Sequence, residues 1–211
     1  MKYPNKYYER LKESAKIGGM NCWIISNQIF ENFPQFEYWS GSGKPIHHHY
    51  GDGGLARHTM EVIDLMVSSS KTLDYPNSLS YDKMFLSGLF HDVGKLWDYE
   101  KKQKAFSSPW GGSFAEVWDK TKHARNIHHI SRSALVWSKA VDATKLYKDE
   151  HDEILHAILA HHGQREWGSP VAPNSKLAWL LHLCDGISAR MDDCEKYDRI
   201  EQNYDKLLQE T

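Results

Sequence analysis

The chain has 211 residues, 40% of them hydrophobic, and a formal net charge of -2 at pH 7. This length fits one domain with a sizeable core, and the near balance of charges excludes a strong global field that would attract nucleic acid. No run approaches the roughly 20 apolar residues of a membrane span. Three cysteines without zinc spacing and a charged N-terminal stretch without an apolar segment predict a cytoplasmic protein with neither disulfides nor a signal peptide.

Apolar residues recur with helical spacing along almost the whole chain. A loop rich in glycine and histidine is expected over 35–54, and Tyr75-Pro76-Asn77 is expected to separate two helices. Residues 97–122 lack clear periodicity, which leaves room for a short β-hairpin insertion around a turn at Trp110-Gly111-Gly112. The sequence therefore predicts an all-α bundle in a single domain, 1–211. Its predicted helices cover 7–17, 21–32, 55–70, 81–92, 126–141, 152–162, 175–191 and 194–208.

Thirteen histidines are the unusual feature of the composition, and ten of them lie in clusters or near acids. Histidine is the commonest metal ligand in proteins. His58 falls in the first turn of the third predicted helix, on its core side. The pair His91-Asp92 closes the fourth predicted helix, and the pair His161-His162 closes the sixth. Polar groups from several helices are thus directed toward one centre, as in the metal sites of helical bundles.

Asp185 lies in the middle of a strongly apolar helical run that extends from Leu180 to Ile187. An ionised carboxylate in such a helix costs several kcal/mol unless it is paired or binds a metal. Most buried polar groups are simply hydrogen-bonded, and scattered ligands have no fixed sequence interval. The residue positions alone therefore leave two interpretations open, a metal centre and an internal hydrogen-bonded network.

Several segments resemble the signatures of the HD-domain metal-dependent phosphohydrolases, of which the His-Asp-x-Gly-Lys motif after an apolar helix is the strongest. Further segments are most similar to the HD domain of bacterial 3'-to-5' exoribonucleases that carry an OB-fold. The resemblance covers about residues 44–191 and implies an HD-domain helical bundle with helical extensions at both ends. The segments are Lys44-Pro45-Ile46-His47-His48, Gly53-Gly54-Leu55-Ala56-Arg57-His58-Thr59, Gly88-Leu89-Phe90-His91-Asp92-Val93-Gly94-Lys95, Thr121 with His129-Ile130, His161-His162-Gly163-Gln164-Arg165-Glu166-Trp167-Gly168-Ser169-Pro170 and Leu181-His182-Leu183-Cys184-Asp185.

The resemblance implies a centre of one or two divalent ions, with Asp92 bridging between them. Imidazole and carboxylate ligands suit manganese, iron, nickel, cobalt or zinc. Two cations that share a carboxylate lower the pKa of a bridging water, and the resulting hydroxide attacks phosphorus. The implied ligands are His58, His91, Asp92, His129, His161, His162 and Asp185.

Asp92 and Lys95 are the implied catalytic residues, because Lys95 stands one turn beyond the His-Asp pair and can offset charge on a phosphoryl oxygen. The expected substrate is a nucleotide or a short single strand of nucleic acid. Phosphate groups need cationic or hydrogen-bonding partners, and the triple histidine and the loop after His162 are expected to supply some of them. The expected substrate-binding residues are Lys44, His47, His48, Lys95, Arg165 and Glu166.

Three features depart from the exoribonuclease pattern. An OB-fold is expected to be missing ahead of the HD-like region, His128 stands in place of the usual glycine, and the stretch 97–120 is longer. The leading hypothesis is a phosphohydrolase that acts as a phosphodiesterase, nuclease or nucleotidase. The alternatives are a di-iron oxygenase of the HD type and a regulatory domain that binds a nucleotide without turnover.

Overall fold

A computed structural model describes residues 5–73, 79–108 and 111–209, with side chains throughout these ranges except at 107, 108, 111 and 195–209. It confirms the predicted all-α fold with a β-hairpin insertion. Two short 3-10 helices, Pro34–Glu37 and Arg165–Trp167, lie between the main elements. The elements in chain order are α1 (Lys6–Ile17), α2 (Met20–Phe30), α3 (Gly54–Thr72), α4 (Tyr81–Phe90), α5 (Lys95–Asp98), β1 (Tyr99–Ser108), β2 (Gly111–Lys120), α6 (Lys122–Asn126), α7 (His129–Thr144), α8 (His151–Ala160) and α9 (Lys176–Gln209).

Helix α4 is the central element of the core, since it packs against α3, α7, α8 and α9. Its side chains Phe85, Leu86, Leu89 and Phe90 are all fully buried. Burial of such a side chain stabilises the fold by about 1.5–3 kcal/mol. The C-terminal end of α4 is therefore held firmly in the middle of the bundle, and the His-Asp pair follows it directly.

The chain turns sharply after α4, which ends at Phe90 rather than at the predicted residue 92. Residues 91–94 form the turn, and α5 begins at Lys95. A Cβ atom on Gly94 would collide with the backbone of His129. Glycine at this position thus lets the start of α7 come close to the turn that carries His91 and Asp92.

Three further predicted helices have different boundaries in the structure. The helix predicted over 126–141 begins at His129, because His128 has a φ of 68° and a ψ of 149° that no helix can include. The two helices predicted over 175–191 and 194–208 form one continuous helix, α9. The prediction of a break there was wrong, since neither glycine nor proline occurs between Ala189 and Cys194.

The insertion is an antiparallel hairpin whose register runs from Tyr99 opposite Lys120 to Ser108 opposite Gly111. Its base is closed by a hydrogen bond from the Thr121 amide to the Asp98 carbonyl. Two predicted features lie outside the described residues. They are Trp110 of the predicted turn and the predicted helix breaker 75–77. In the described ranges, no helix has the length and apolar character needed to cross a membrane.

Candidate metal centre

Four polar side chains from α3, α9 and the turn after α4 converge at one point inside the bundle. Nε2 of His58 lies 3.0 Å from Oδ1 of Asp185 and 3.3 Å from Oδ2 of Asp92. Nε2 of His91 lies 3.4 Å from Nε2 of His58. We call this set, His58, His91, Asp92 and Asp185, the first cluster, and one candidate ligand atom from each of its members lies within 4.8 Å of the others.

A second cluster is formed by His129 at the start of α7 and by His161 and His162 at the end of α8. Nε2 of His129 lies 3.3 Å from Nε2 of His162. The second cluster faces the first across Asp92, because Oδ1 of Asp92 lies 3.4 Å from Nε2 of His129 and 3.6 Å from Nε2 of His161. All seven predicted ligands are therefore brought together.

Asp92 stands between the two clusters, with Oδ2 toward the first and Oδ1 toward the second. Among the described residues, neither Asp92 Oδ1 nor His161 Nε2 has a hydrogen-bond partner, although both atoms are buried. Buried polar atoms in native proteins are nearly always satisfied. Two unsatisfied ligand atoms that point at the same space fit a divalent transition metal, which prefers imidazole and carboxylate donors.

Backbone carbonyls fix the ring orientation of two of the histidines. Nδ1 of His91 donates to the carbonyl of Gly88, and Nδ1 of His161 donates to the carbonyl of Ile158, each at 2.7 Å. With the proton held on Nδ1, the lone pair of Nε2 points into the centre. Ligand histidines in metal sites are commonly oriented in this way by a second hydrogen bond.

Side chains orient two further histidines of the clusters, His129 and His58. Asp98 accepts hydrogen bonds from both the ring and the backbone amide of His129, at 3.0 and 3.1 Å. The ring of His58 lies 3.1 Å from the hydroxyl of Ser188, which donates to Glu61 at 2.9 Å. The sequence analysis missed these three supporting residues. The sequence could have indicated two of them. Glu61 lies three residues after His58 and Ser188 lies three residues after Asp185, so each shares a helical face with a predicted ligand.

The carboxylates of the centre remain ionised despite their burial. Burial alone would raise the pKa of Asp92, but the nearby Lys95 and His91 hold this pKa well below its ordinary value. Burial would likewise raise the pKa of Asp185, and the hydrogen bond from His58 lowers it. Asp92 and Asp185 thus present negative charge to a cation at neutral pH.

Three histidines of the clusters, His91, His129 and His162, have lowered pKa values and are neutral at pH 7, the form that binds metals. Burial lowers the pKa of His129 to about 4 and that of His162 to about 2. His58 differs: burial disfavours its charged form, but hydrogen bonds to Asp185 and Asp92 raise its pKa. A cation that binds His58 therefore competes with a proton there.

Lys95 is the buried cation of the site, and its ammonium group lies 2.6 Å from Oδ2 of Asp92. In the triple histidine, His48 is half-buried and its ring centroid lies 5.4 Å from that of His58. His49 is buried, its ring centroid lies 4.8 Å from that of His58 and its Nε2 contacts Glu61, whereas His47 is exposed. The other predicted substrate-binding residues, Lys44, Arg165 and Glu166, are exposed, so their role stays a prediction.

Comparison with known families identifies the family to which the fold and its metal centre belong. The family model for the HD domain matches residues 55–190, which include all seven predicted ligands. The chain belongs to the HD-domain family. Together with the histidine and aspartate clusters, this membership supports a metal-dependent phosphohydrolase.

One curated relative of this HD-domain protein is the 3'-5' exoribonuclease YhaM of Bacillus subtilis (strain 168). The two chains are 32% identical over 145 residues, which are 69% of this chain and 41% of YhaM. The aligned part thus spans about two fifths of the relative. No solved structure matches the chain. The prediction that the HD-domain protein forms a single domain over 1–211 stays a prediction.

Proposed function

We propose that this HD-domain protein is a metal-dependent phosphodiesterase that cleaves short single-stranded nucleic acid, with RNA as the first candidate. The observation that carries the proposal is the position of Asp92. Its two carboxylate oxygens face two separate sets of histidines, with Oδ2 3.3 Å from His58 and Oδ1 3.4 Å from His129. A carboxylate placed in this way can bridge a pair of cations.

In this proposal the first cluster holds one divalent ion and the second cluster, with Asp92 shared, holds another. Manganese, iron, nickel, cobalt and zinc all suit the donor set. Such ions activate water as a nucleophile and neutralise charge on phosphoryl oxygens. Because His91, His129 and His161 each have Nδ1 occupied by a hydrogen bond, their Nε2 atoms are left for the ions.

Lys95 supplies the permanent positive charge in the proposed site. It is almost fully buried, and Asp92 raises its pKa against the opposing effect of burial, so the ammonium group stays charged. A buried ammonium group can stabilise negative charge that develops on a non-bridging phosphate oxygen. We place His48 beside the reacting phosphate and Lys44, His47, Arg165 and Glu166 on the rim where further substrate groups bind.

The choice of substrate rests on charge and on the relative. The net charge of -2 disfavours long non-specific contact with nucleic acid, so a short strand fits better than a duplex. The relative named as a 3'-5' exoribonuclease shares the part of the chain that carries the centre. This likeness supports our choice of RNA over DNA and mononucleotides.

The test begins with the metal content of the purified protein, followed by hydrolysis of an end-labelled oligoribonucleotide, its DNA counterpart and bis(p-nitrophenyl) phosphate with Mn²⁺, Ni²⁺, Fe²⁺, Co²⁺ or Zn²⁺. We expect cleavage in the presence of metal and loss of at least a thousandfold in Asp92→Asn, on the order of the effect of removing an essential catalytic group. Asp142→Asn is the matched control, because Asp142 is exposed on α7, and it should cleave like the parent.

Two other outcomes would overturn this function. Oxygen uptake coupled to loss of an organic substrate, with no phosphoester cleaved, would identify an oxygenase. Tight nucleotide binding without turnover under every metal condition would identify a regulatory domain.

A further inference from the structure

His128, at the junction of α6 and α7, has an unusual backbone conformation. Its φ of 68° and ψ of 149° lie in a region that is populated almost only by glycine. A side chain in this region costs conformational free energy, which the rest of the fold has to offset. Such strain is concentrated at functional sites, so the role of this particular ring needs an explanation.

Two contacts fix the residue that follows His128. The amide of His129 donates to the Asp98 carboxylate at 3.1 Å, which fixes the first residue of α7. Gly94 packs directly against the backbone of His129 on the other side. Residue 129 is thus held from both sides, and the chain reaches it through a positive φ at residue 128. Glycine would satisfy this requirement without strain.

The imidazole of His128 lies at the edge of the second cluster. Its ring centroid is 4.1 Å from that of His129 and 5.8 Å from that of His162. The ring is half-buried, so one side packs on the cluster while the other remains accessible. In either protonation state an imidazole has at least one N–H donor, and phosphate oxygens are strong acceptors of such hydrogen bonds.

We propose that His128 is a substrate-binding residue of this site, whose ring N–H donates to a phosphate oxygen of the substrate beside the second cluster. The inference rests on the proposed function, which it deepens by naming a contact to the phosphodiester. A strained non-glycine residue at this position is explained by this contact, because an imidazole at position 128 reaches the substrate and a glycine does not.

The experiment compares His128→Gly, His128→Asn and His128→Phe. Asparagine carries a backbone strain similar to that of histidine and keeps an N–H donor, whereas phenylalanine keeps only the ring. We expect kcat/KM for bis(p-nitrophenyl) phosphate to fall roughly 10–100-fold in the glycine and phenylalanine variants, the usual effect of losing a hydrogen bond to a charged group. The asparagine variant should retain part of the activity.

Thermal unfolding and metal content separate this role from a structural one. His128→Gly should raise Tm by about 2–4 °C or more, since it removes backbone strain, and its metal content should equal that of the parent. Lys145→Gly is the matched control, because Lys145 also has a positive φ, 62°, and is exposed at the end of α7. It should raise Tm and leave kcat/KM unchanged.

Binding of a phosphorothioate-linked oligoribonucleotide to the Mn²⁺-loaded protein gives a readout that does not depend on turnover. His128→Gly should weaken this binding by the same 10–100-fold. Parent-like activity and binding in His128→Gly would overturn the inference and leave the proposed function standing, and a loss of metal in that variant would make His128 a ligand instead. A parent that binds the probe but cleaves nothing, with binding lost in His128→Gly, would overturn the proposed function alone.

Discussion

Nδ1 of His58 lies 3.1 Å from the hydroxyl oxygen of Ser188, so a serine on α9 supports a histidine on α3 from behind. The hydroxyl donates in turn to Glu61 at 2.9 Å. Since the serine hydrogen is used on Glu61, the serine oxygen accepts the proton of Nδ1. The three residues form a carboxylate–hydroxyl–histidine relay that keeps Nε2 of His58 directed at the first cluster.

Removal of this hydroxyl should weaken metal binding. We expect Ser188→Ala to lower the affinity for Mn²⁺ or Zn²⁺ about 10–100-fold, the usual effect of losing a partner behind a ligand histidine. Competition with a chromophoric chelator measures this affinity. Ser131→Ala is the control, because Ser131 is exposed on α7. An unchanged affinity in Ser188→Ala would show that the relay does not orient His58.

Lys95→Met should affect the metal-free protein more than the metal-loaded protein. Without the lysine, the buried carboxylate of Asp92 loses a cation 2.6 Å away, and breaking a buried pair costs about 3–5 kcal/mol. A bound cation replaces much of the lost charge, so the loaded variant should unfold close to the parent. Urea unfolding with excess metal and with excess chelator gives both values. Lys139→Met, at an exposed position of α7, controls for the substitution itself.

The same Lys95 variant separates stability from catalysis. If the ammonium group stabilises the reacting phosphate, kcat of the metal-loaded Lys95→Met should fall by about 10²–10³ with metal content intact. Equal destabilisation with and without metal, together with parent-like kcat, would reduce Lys95 to a structural partner of Asp92.

Gly94→Ala should disturb the second cluster. The added methyl group would collide with the backbone of His129, so the turn and the start of α7 have to move apart. Overpacking of this kind costs about 1–3 kcal/mol, and it displaces His129 from Asp92. We expect a lower Tm and the loss of one of two bound ions, measured by metal analysis. Gly112→Ala in the exposed hairpin, where a Cβ atom has room, should leave the ion content intact.

The metal-free protein should lose stability as the pH falls below about 6.5. Burial lowers the pKa of His49 to about 4, while the hydrogen bond with Glu61 opposes this change. Between pH 6.5 and 4 the unfolded chain therefore binds a proton that the folded protein does not. The stability that neutral His49 contributes is fully present above pH 6.5. It falls by about 3 kcal/mol as the pH decreases to 4.

His49→Asn isolates this contribution. Asparagine tolerates the φ of 51° at this position and does not titrate. Urea unfolding of the chelator-treated protein at pH 7, 5.5 and 4.5 should show a smaller loss of stability with acid in the variant than in the parent. The slope should not vanish, because burial also lowers the pKa of His129 to about 4. Identical slopes would contradict the assignment to His49.

The helical fold and the inward direction of the predicted ligands could be read from the sequence. A helix places residues on one face by a local rule, so His58 and Val62 share the buried stripe of α3 whatever surrounds them. The resemblance over 44–191 then named the same seven residues that the fold brings together. The sequence predicted a break between two helices where the structure has the single helix α9. No glycine or proline lies at that point to end a helix.

Only the tertiary structure determined which residues hold the metal ligands in place and that the backbone of His128 is strained. Ser188 and His58 are 130 residues apart in the chain, and no local periodicity relates them, because their distance is set by the packing of α9 on α3. The burial of His49 against Glu61 and the exposure of His47 in the triple histidine depend on the same packing. The positive φ of His128 stands next to a residue that Asp98 and Gly94 fix from two sides, and these contacts exist only in the folded chain.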